Sequence, residues 1–364
     1  MNNMKTVLAG ELVLGDGVQE KTILIEDGII VDSFDGIDTG MDSDTTHQGM
    51  IYPGLMDLHT HLGDHMARGP LPSSLKDVVL PGGIKHRFLE TSDTRTKIES
   101  VRRSLDEVKP GVTHLFDYRE GGLEGISILN EAYQKYHPNT IILARPGRND
   151  DVVELLEGSQ GLGLPSVDSC TEELRDITKK MGKIFSFHAS EMYREDIEKI
   201  LQFQPDLLVH MISGTEEDWI SLAEEKIPTV VCPRSNFAYS LPLTLAGMND
   251  RDVPLALGTD NSISARQDMF RELEMGWLML RRNGMEGSRA AREVFSMAVG
   301  EKIKNTKLWD LTDSFTGWWE STWPRKGDPA YLMVLDRKEG PDPFSNLVRF
   351  TGQDSVLFTG PENH

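Results

Sequence analysis

His59 and His61, in the stretch Ile51-Tyr-Pro-Gly-Leu-Met-Asp-Leu-His-Thr-His-Leu-Gly63, are the residues of this chain whose type and spacing speak most directly of chemistry. A strand alternates its faces, so two imidazoles one residue apart project to the same side and form a claw for a metal ion. Neutral imidazole is the commonest protein ligand for zinc-like ions. The apolar residues Ile51, Leu55, Met56 and Leu58 read as a buried strand that delivers the pair to its C-terminal end. Such a pair on its own is more often an exposed or hydrogen-bonded core feature than a metal site. Three later segments change that balance: Lys183-Ile-Phe-Ser-Phe-His-Ala-Ser-Glu191, Asp206-Leu-Leu-Val-His210 and Val253-Pro-Leu-Ala-Leu-Gly-Thr-Asp260. Each sets a polar residue after a short strand-forming run and before a loop and a helical pattern, which is how a parallel sheet gathers function at its carboxyl edge.

His-x-His, His-x-x-Glu, His and Gly-Thr-Asp, in that order on successive strands, resemble the amidohydrolase superfamily. The resemblance is strongest to its mononuclear metal-dependent deaminase and chlorohydrolase branch, which includes cytosine, guanine and adenosine-analogue deaminases. It runs from the His-x-His strand to Lys326-Gly-Asp-Pro-Ala-Tyr-Leu-Met-Val-Leu-Asp336, where Tyr331 stands at a position the family usually gives to Asp. Binuclear relatives carry a carboxylated lysine at the end of the fourth strand. The matching run here, Gly161-Leu-Gly-Leu-Pro-Ser166, has none, which points to one metal.

The resemblance implies that His59, His61, His188 and Asp260 hold one divalent ion, zinc in the first place, with Fe2+, Mn2+ or Ni2+ able to substitute. An ion so held with an open position lowers the pKa of bound water from about 15.7 to about 7. It further implies that Asp260 also accepts the water's proton, that His210 activates the water or stabilises the developing oxyanion, and that Glu191 carries a proton to a ring nitrogen. General acid catalysis of that kind is worth about 10²–10⁴-fold. The implied activity is hydrolytic deamination of an aminated heterocycle, of purine, pyrimidine or nucleoside type, by a metal-bound hydroxide. Two other readings stay open: hydrolysis of a cyclic amide (imidazolonepropionase-like) or a carbon–chlorine bond by the same hydroxide, and a catalytically silent barrel used as a scaffold. Scaffolds of that kind usually lose ligands, whereas this chain keeps the apparent set.

Elements that would position these residues can be read along the chain. Short β-prone runs such as Thr6-Val-Leu-Ala and Thr22-Ile-Leu-Ile, with turn signals such as Asp27-Gly28, predict a small meandering sheet before residue 51. From there strands are expected at the His-x-His run and at 112–116, 140–144, 161–164, 184–187, 207–209, 229–231 and 255–257. Expected helices include 97–108, 171–181, 194–203 and 216–225, and a helical stretch 269–282 with the segment 289–304 is expected to cover the barrel. Eight strands alternating with helices predict an α/β fold, a (β/α)8 TIM-type barrel with all strand C-termini on one face. The organisation expected is a barrel over 51–324 and a small discontinuous β-sandwich domain from 1–50 plus 325–364. His65, His86 and His114 read as structural, and Cys232 as an ordinary strand cysteine.

Composition bounds the partners. A formal charge of −20 repels nucleic-acid phosphates and anionic lipids, so a small-molecule substrate is expected, with no nucleic acid and no membrane partner; a homo-oligomer is left open. Two distant cysteines, Cys170 and Cys232, and the lack of any export signal or 18-residue apolar run lead us to expect a cytoplasmic protein. Against that acidity, Arg119, Arg145, Arg148 and Arg234 gather where strands should end. They are candidate substrate contacts for a carboxylate, phosphate or other electron-rich group, or else partners of Asp117, Glu120 or Asp150. The Gly- and Pro-rich stretch Leu62–Phe88 is long enough to be a lid.

Overall fold

Strand-forming runs at both ends of the chain meet in one sheet. The computed structural model describes residues 4–15, 17–133, 139–312, 323–336 and 342–361. Four strands open the chain: β1 (Lys5–Leu14), β2 (Gly17–Glu26), β3 (Ile29–Asp35) and β4 (Thr45–Pro53). Asp27 and Gly28 both adopt positive φ, as a two-residue hairpin between twisted strands requires. The next series comprises β5 (Leu55–His61), β6 (Val112–Arg119), β7 (Asn139–Ala144), β8 (Gly161–Leu164), β9 (Ile184–Ala189), β10 (Leu207–His210), β11 (Thr229–Val231), β12 (Leu255–Leu257) and β13 (Asp260–Asn261). β14 (Leu332–Leu335) and β15 (Val356–Thr359) close the set.

Among the described residues the first sheet runs β15-β14-β4-β1-β2-β3, so the last strands of the chain pair with the first ones. Only Gly54 separates β4 from β5. A Cβ on it would meet the Thr113 side chain at 2.1 Å, so the crossing from one sheet to the other needs a residue without a side chain.

The second sheet is curled and parallel, in the order β12-β11-β10-β9-β8-β7-β6-β5-β13. All eight expected strand positions are occupied. The eighth is split, because Gly258 and Thr259 interrupt it between β12, which pairs with β11, and β13, which pairs with β5. The hydrogen-bond ladder is therefore not an unbroken ring, which is a departure from the closed barrel expected. Gly258 is where that chain passes the His-x-His strand: a Cβ there would sit 2.7 Å from the Cβ of His59.

Helices pack on the outside of the curled sheet. Thr94–Val108, capped by the Asp93 carboxylate on the Thr96 N–H, buries Ile98, Val101 and Leu105. The helix expected from 194 begins only at Ile197, because Asp196 caps it by accepting from the Glu198 N–H. The covering segment 289–304 holds most of a helix over Gly287–Ala298 and then a separate 3₁₀ turn, Glu301–Ile303. Helices Gly122–Ala132, Val152–Glu157 and Pro343–Phe350 were not expected; the last packs on Met269–Arg282 and Gly287–Ala298. Among the described residues no helix is long and apolar enough to cross a membrane.

Candidate active site

The inner face of the curled sheet is filled by one apolar cluster, including Met56, Leu58, Phe116, Leu143, Val209 and Val230. Each such buried side chain contributes about 1.5–3 kcal/mol relative to exposure, so strand alternation is strongly held. By that alternation Thr60, not His59 or His61, would follow Met56 and Leu58 inward. A bulge in the β5–β6 pairing, where Asp57 faces Leu115 but Thr60 faces Asp117, re-aims the strand so that both histidines turn into the site. His210 is flipped in a similar way. It follows inward-facing Leu207 and Val209 and reaches the site with φ of 75°. Asp260 has φ of 61°. Non-glycine residues held in this region cost about 1–3 kcal/mol each and persist only where the surroundings fix them. Asp57 supplies part of that fixation: its carboxylate accepts from the Thr259 N–H at 2.9 Å and from the Thr259 hydroxyl at 2.6 Å. Burial pushes the Asp57 carboxyl up to about 7 against those hydrogen bonds.

The strand ends bring His59, His61, His188, His210, Glu191 and Asp260 together. Ring centroids of His59 lie 4.8 Å from those of His61 and His188 and 5.7 Å from that of His210. Donor atoms fall within 4.8 Å of one another in three overlapping groups: His59, His188 and His210; His59, His61 and Asp260; and Glu191, His210 and Asp260. Asp260 Oδ1 is 3.4 Å from His59 Nε2 and 3.7 Å from His61 Nε2, while its Oδ2 accepts from the Ser235 hydroxyl at 2.5 Å. His188 Nδ1 lies 2.9 Å from the Leu164 carbonyl, and His61 Nδ1 lies 3.2 Å from the Tyr118 carbonyl. Those carbonyls hold the proton on Nδ1 and leave each Nε2 lone pair facing the cluster.

This donor set fits a divalent ion. His59 is fully buried, and neither of its ring nitrogens has a hydrogen-bond partner, which is costly unless something else takes a lone pair. Burial depresses its pKa to about 3, so the imidazole is neutral and able to ligate at neutral pH. Burial opposes charge on Asp260 too, but His59 beside it, with His210 and His61, holds the carboxylate well below its usual range. Burial raises Glu191, with the neighbouring His210 pulling the other way. The Glu191 Oε1 to His210 Nε2 distance is 3.4 Å.

The four arginines part company. Arg119 is buried, with Nη1 3.5 Å from Asp117 Oδ2. Arg145 is 23% exposed at its side chain and lies 3.5 Å from Glu120, with Nε buried and lacking a hydrogen-bond partner. Arg148 is exposed in the loop after β7. The structure does not bring Arg234 to the histidines. Its Nη1 donates to the Arg266 carbonyl at 2.9 Å and sits 3.4 Å from Glu272, whose Oε2 accepts from the Arg234 N–H at 3.0 Å. The strand ends here in the helix Pro233–Ala238, and this turn points the side chain at helix Met269–Arg282. His65 lies against Glu107, His86 against the Val79 carbonyl and His114 against Tyr331.

Glu272 yields a pH prediction. Burial, only partly countered by Arg234, raises its carboxyl from 4.5 to about 8. The folded chain therefore holds a proton that the unfolded chain has released, and stability falls as pH rises from about 4.5 to about 8. Asp57, raised to about 7, adds a slope of the same sign, so thermal melts of Glu272→Gln are expected to show a shallower fall than the wild type, by on the order of a few degrees between about pH 5 and about pH 8. Parallel pH dependence in both proteins would contradict the assignment.

Residues that sequence reasoning missed include Asp57, Ser235, Lys85 and Glu120. Glu120 directly follows a strand end, the same signal that marked the histidines. Lys85 carries no sequence signal at all.

No protein-family model matches the chain. A protein of Methanothermobacter thermautotrophicus that bears the name aminohydrolase is 30% identical over 98% of this chain and 97% of its own length. The chain belongs to the amidohydrolase superfamily, in its deaminase-like branch. It is thereby an enzyme of the class that hydrolyses carbon–nitrogen bonds other than peptide bonds. The 5'-deoxyadenosine deaminase of the same organism is 25% identical over 82% of this amidohydrolase and 79% of its own chain. Among solved structures, a zinc-bound adenosine deaminase from Xanthomonas campestris superposes with a TM-score of 0.77 at 15% identity, covering 99% of this chain and 92% of that one. Escherichia coli guanine deaminase gives 0.67 at 15% identity, covering 100% and 98%. These two likenesses concern the fold.

Proposed function

We propose that this amidohydrolase is a metal-dependent deaminase that replaces the exocyclic amine of an aminated heterocycle, of purine, pyrimidine or nucleoside type, with oxygen. The observation that carries the reading is the meeting of Glu191, His210 and Asp260 within 4.8 Å beside the histidine cluster. A carboxyl raised by burial, next to a histidine and a carboxylate held ionised, gives a proton donor and a proton acceptor in one site. His59, His61, His188 and Asp260 would hold one divalent ion, zinc first. Such an ion activates water at neutral pH. Asp260, with Oδ2 engaged by Ser235, takes the proton released by water; His210 steadies the oxyanion; Glu191 delivers a proton to the ring nitrogen beside the attacked carbon. The names of the two relatives, an aminohydrolase and a 5'-deoxyadenosine deaminase, support the same chemistry. We read the fold as a (β/α)8 barrel over 51–324 joined to a composite β domain from 1–50 and 325–364; residues 313–322 before that boundary and 337–341 after it lie outside the described residues.

Of the arginines, Arg145 best suits a substrate contact, because it is partly exposed and keeps an unpaired Nε. The test is ammonia release across a panel of aminated rings, cyclic amides and chlorinated rings, with variants assayed in parallel. We expect an aminated ring bearing an anionic or electron-rich substituent to be preferred. Arg145→Met should lower kcat/KM on it by about 10- to 150-fold, the equivalent of a charged hydrogen bond of about 1.5–3 kcal/mol, at unchanged metal content. Arg234→Met should lower the melting temperature instead. Turnover confined to the cyclic amides or chlorinated rings would refute the deaminase reading, and a neutral free base processed equally well by Arg145→Met would remove that residue from the substrate.

A further inference from the structure

The stretch Leu62–Phe88 folds over the site, and one of its side chains goes further in than a cover requires. Its middle is held by apolar contact: Leu75 and Val78 pack in a buried cluster with Tyr239 and Ile263, from the chain following β11 and β13. Helix Ile84–Thr91 then sends down Lys85, which is only 4% exposed. The Lys85 ammonium lies 3.1 Å from Asp64 Oδ2 and 2.5 Å from Glu120 Oε1. Asp64 and Glu120 are buried as well, at 0% and 5% exposure. Glu120 Oε1 is in turn 3.1 Å from Nδ1 of His61, on the side of the ring opposite the Nε2 that faces Asp260.

Burying an ammonium between two carboxylates is not a favourable way to hold a loop. Desolvation offsets most of the attraction, and an apolar residue of similar size would close the cover at least as well. What the arrangement adds is a fixed charge at the back of His61. His61 Nδ1 already faces the Tyr118 carbonyl at 3.2 Å, so the Glu120 carboxylate 3.1 Å away adds negative charge beside that N–H; loss of an outer partner of a ligating histidine typically weakens metal binding by about 10–100-fold. Two cations face Glu120: the Arg145 guanidinium at 3.5 Å, which follows β7, and the Lys85 ammonium at 2.5 Å, which is the nearer and is carried by the cover.

We propose that Glu120 is a positioning residue for His61 and that Lys85 is a latch, so that closure of the 75–91 segment and retention of the metal by His61 are one coupled event. This rests on the metal site proposed above. The ion is held tightly when the cover is down; opening withdraws the ammonium, leaves Asp64 and Glu120 repelling each other, and loosens the His61 arm.

The experiment uses the full-length, metal-loaded protein in four forms: wild type, Lys85→Met, Lys85→Arg and Glu120→Gln, with His188→Ala as a reference for loss of a ligand. Metal affinity is read by competition with a chromophoric chelator, and opening by amide hydrogen exchange over 75–91. Glu120→Gln should bind metal about 10–100-fold more weakly with near-native exchange outside the segment. Lys85→Met should show both weaker binding and faster exchange over 75–91, and Lys85→Arg should restore both in large part. Wild-type affinity in Lys85→Met and Glu120→Gln, while His188→Ala loses metal, overturns the latch and leaves the metal site standing. Faster exchange with unchanged metal affinity overturns it equally, because the cover would then be independent of the ligand. Should Lys85→Met fail to fold, Glu120→Gln and Lys85→Arg still decide: native affinity in Glu120→Gln refutes the proposal. A wild type and a His188→Ala that bind metal alike would instead bring down the site assignment itself.

Discussion

Glu191→Gln is expected to lower turnover by about 10²–10⁴-fold while the protein keeps its full metal content. The carboxyl stands in a position to carry a proton rather than to anchor an ion. It lies in the turn after β9, three residues past His188, with Oε1 3.4 Å from His210 Nε2 and a side chain 18% exposed, so substrate can reach it. Burial raises its pKa and the adjacent His210 restrains that rise, the direction a proton donor needs. Glutamine preserves shape and hydrogen-bonding capacity but cannot titrate, so it removes the carboxyl's ability to give and take a proton. Steady-state kinetics with elemental analysis on the same preparations would check this. If the variant lost its metal but kept its turnover per remaining ion, Glu191 would be a ligand and the proton carrier would have to be sought elsewhere.

Why the sequence speaks clearly of some residues and not of others can be seen in the site itself. Apolar runs ending in His59, His61, His188, His210 and Asp260 located the strand ends, since a parallel sheet buried on both faces leaves few polar residues inside its strands. Side-chain direction was not legible in the same way. Alternation from Met56 and Leu58 puts His59 on the outer face, and alternation from Val209 does the same to His210. A bulge in one case and a left-handed residue in the other correct this, and both are set by contacts distant in sequence, such as Asp57 on Thr259. Arg234 shows the same limit from the other side. Its place at a strand end was read correctly, but the chain turns at once into a helix and aims the guanidinium at Glu272. Lys85 was out of reach because nothing in Gly82-Gly-Ile-Lys-His86 marks it as buried; its environment is made by Asp64 and Glu120, which arrive from other elements.

The largest effect of all should come from the one proposed metal-ligating histidine that two donor groups share. His59 belongs to two of the three donor groups, the one with His188 and His210 and the one with His61 and Asp260, so removing it dismantles both. Removing His188 leaves the second group intact. Binding of a structural zinc by four ligands is worth about 10–16 kcal/mol, roughly 3 kcal/mol for each, so loss of one ligand weakens affinity by about 10²–10³-fold. His188→Ala should fall in that range, and His59→Ala at or beyond its upper end. His65→Gln is the control, since His65 is engaged with Glu107 and joins none of the groups. Because the ion binds only the folded chain, the same order should appear in heat stability: stripping metal from the wild type with a chelator should lower its melting temperature, and should change that of His59→Ala hardly at all. Elemental analysis, chelator competition and thermal melts on the four proteins give three readings of one quantity. A wild type that never takes up more than a trace of any transition metal, or a His59→Ala that binds as tightly as His65→Gln, would show that these imidazoles are packed together for some reason other than a metal ion.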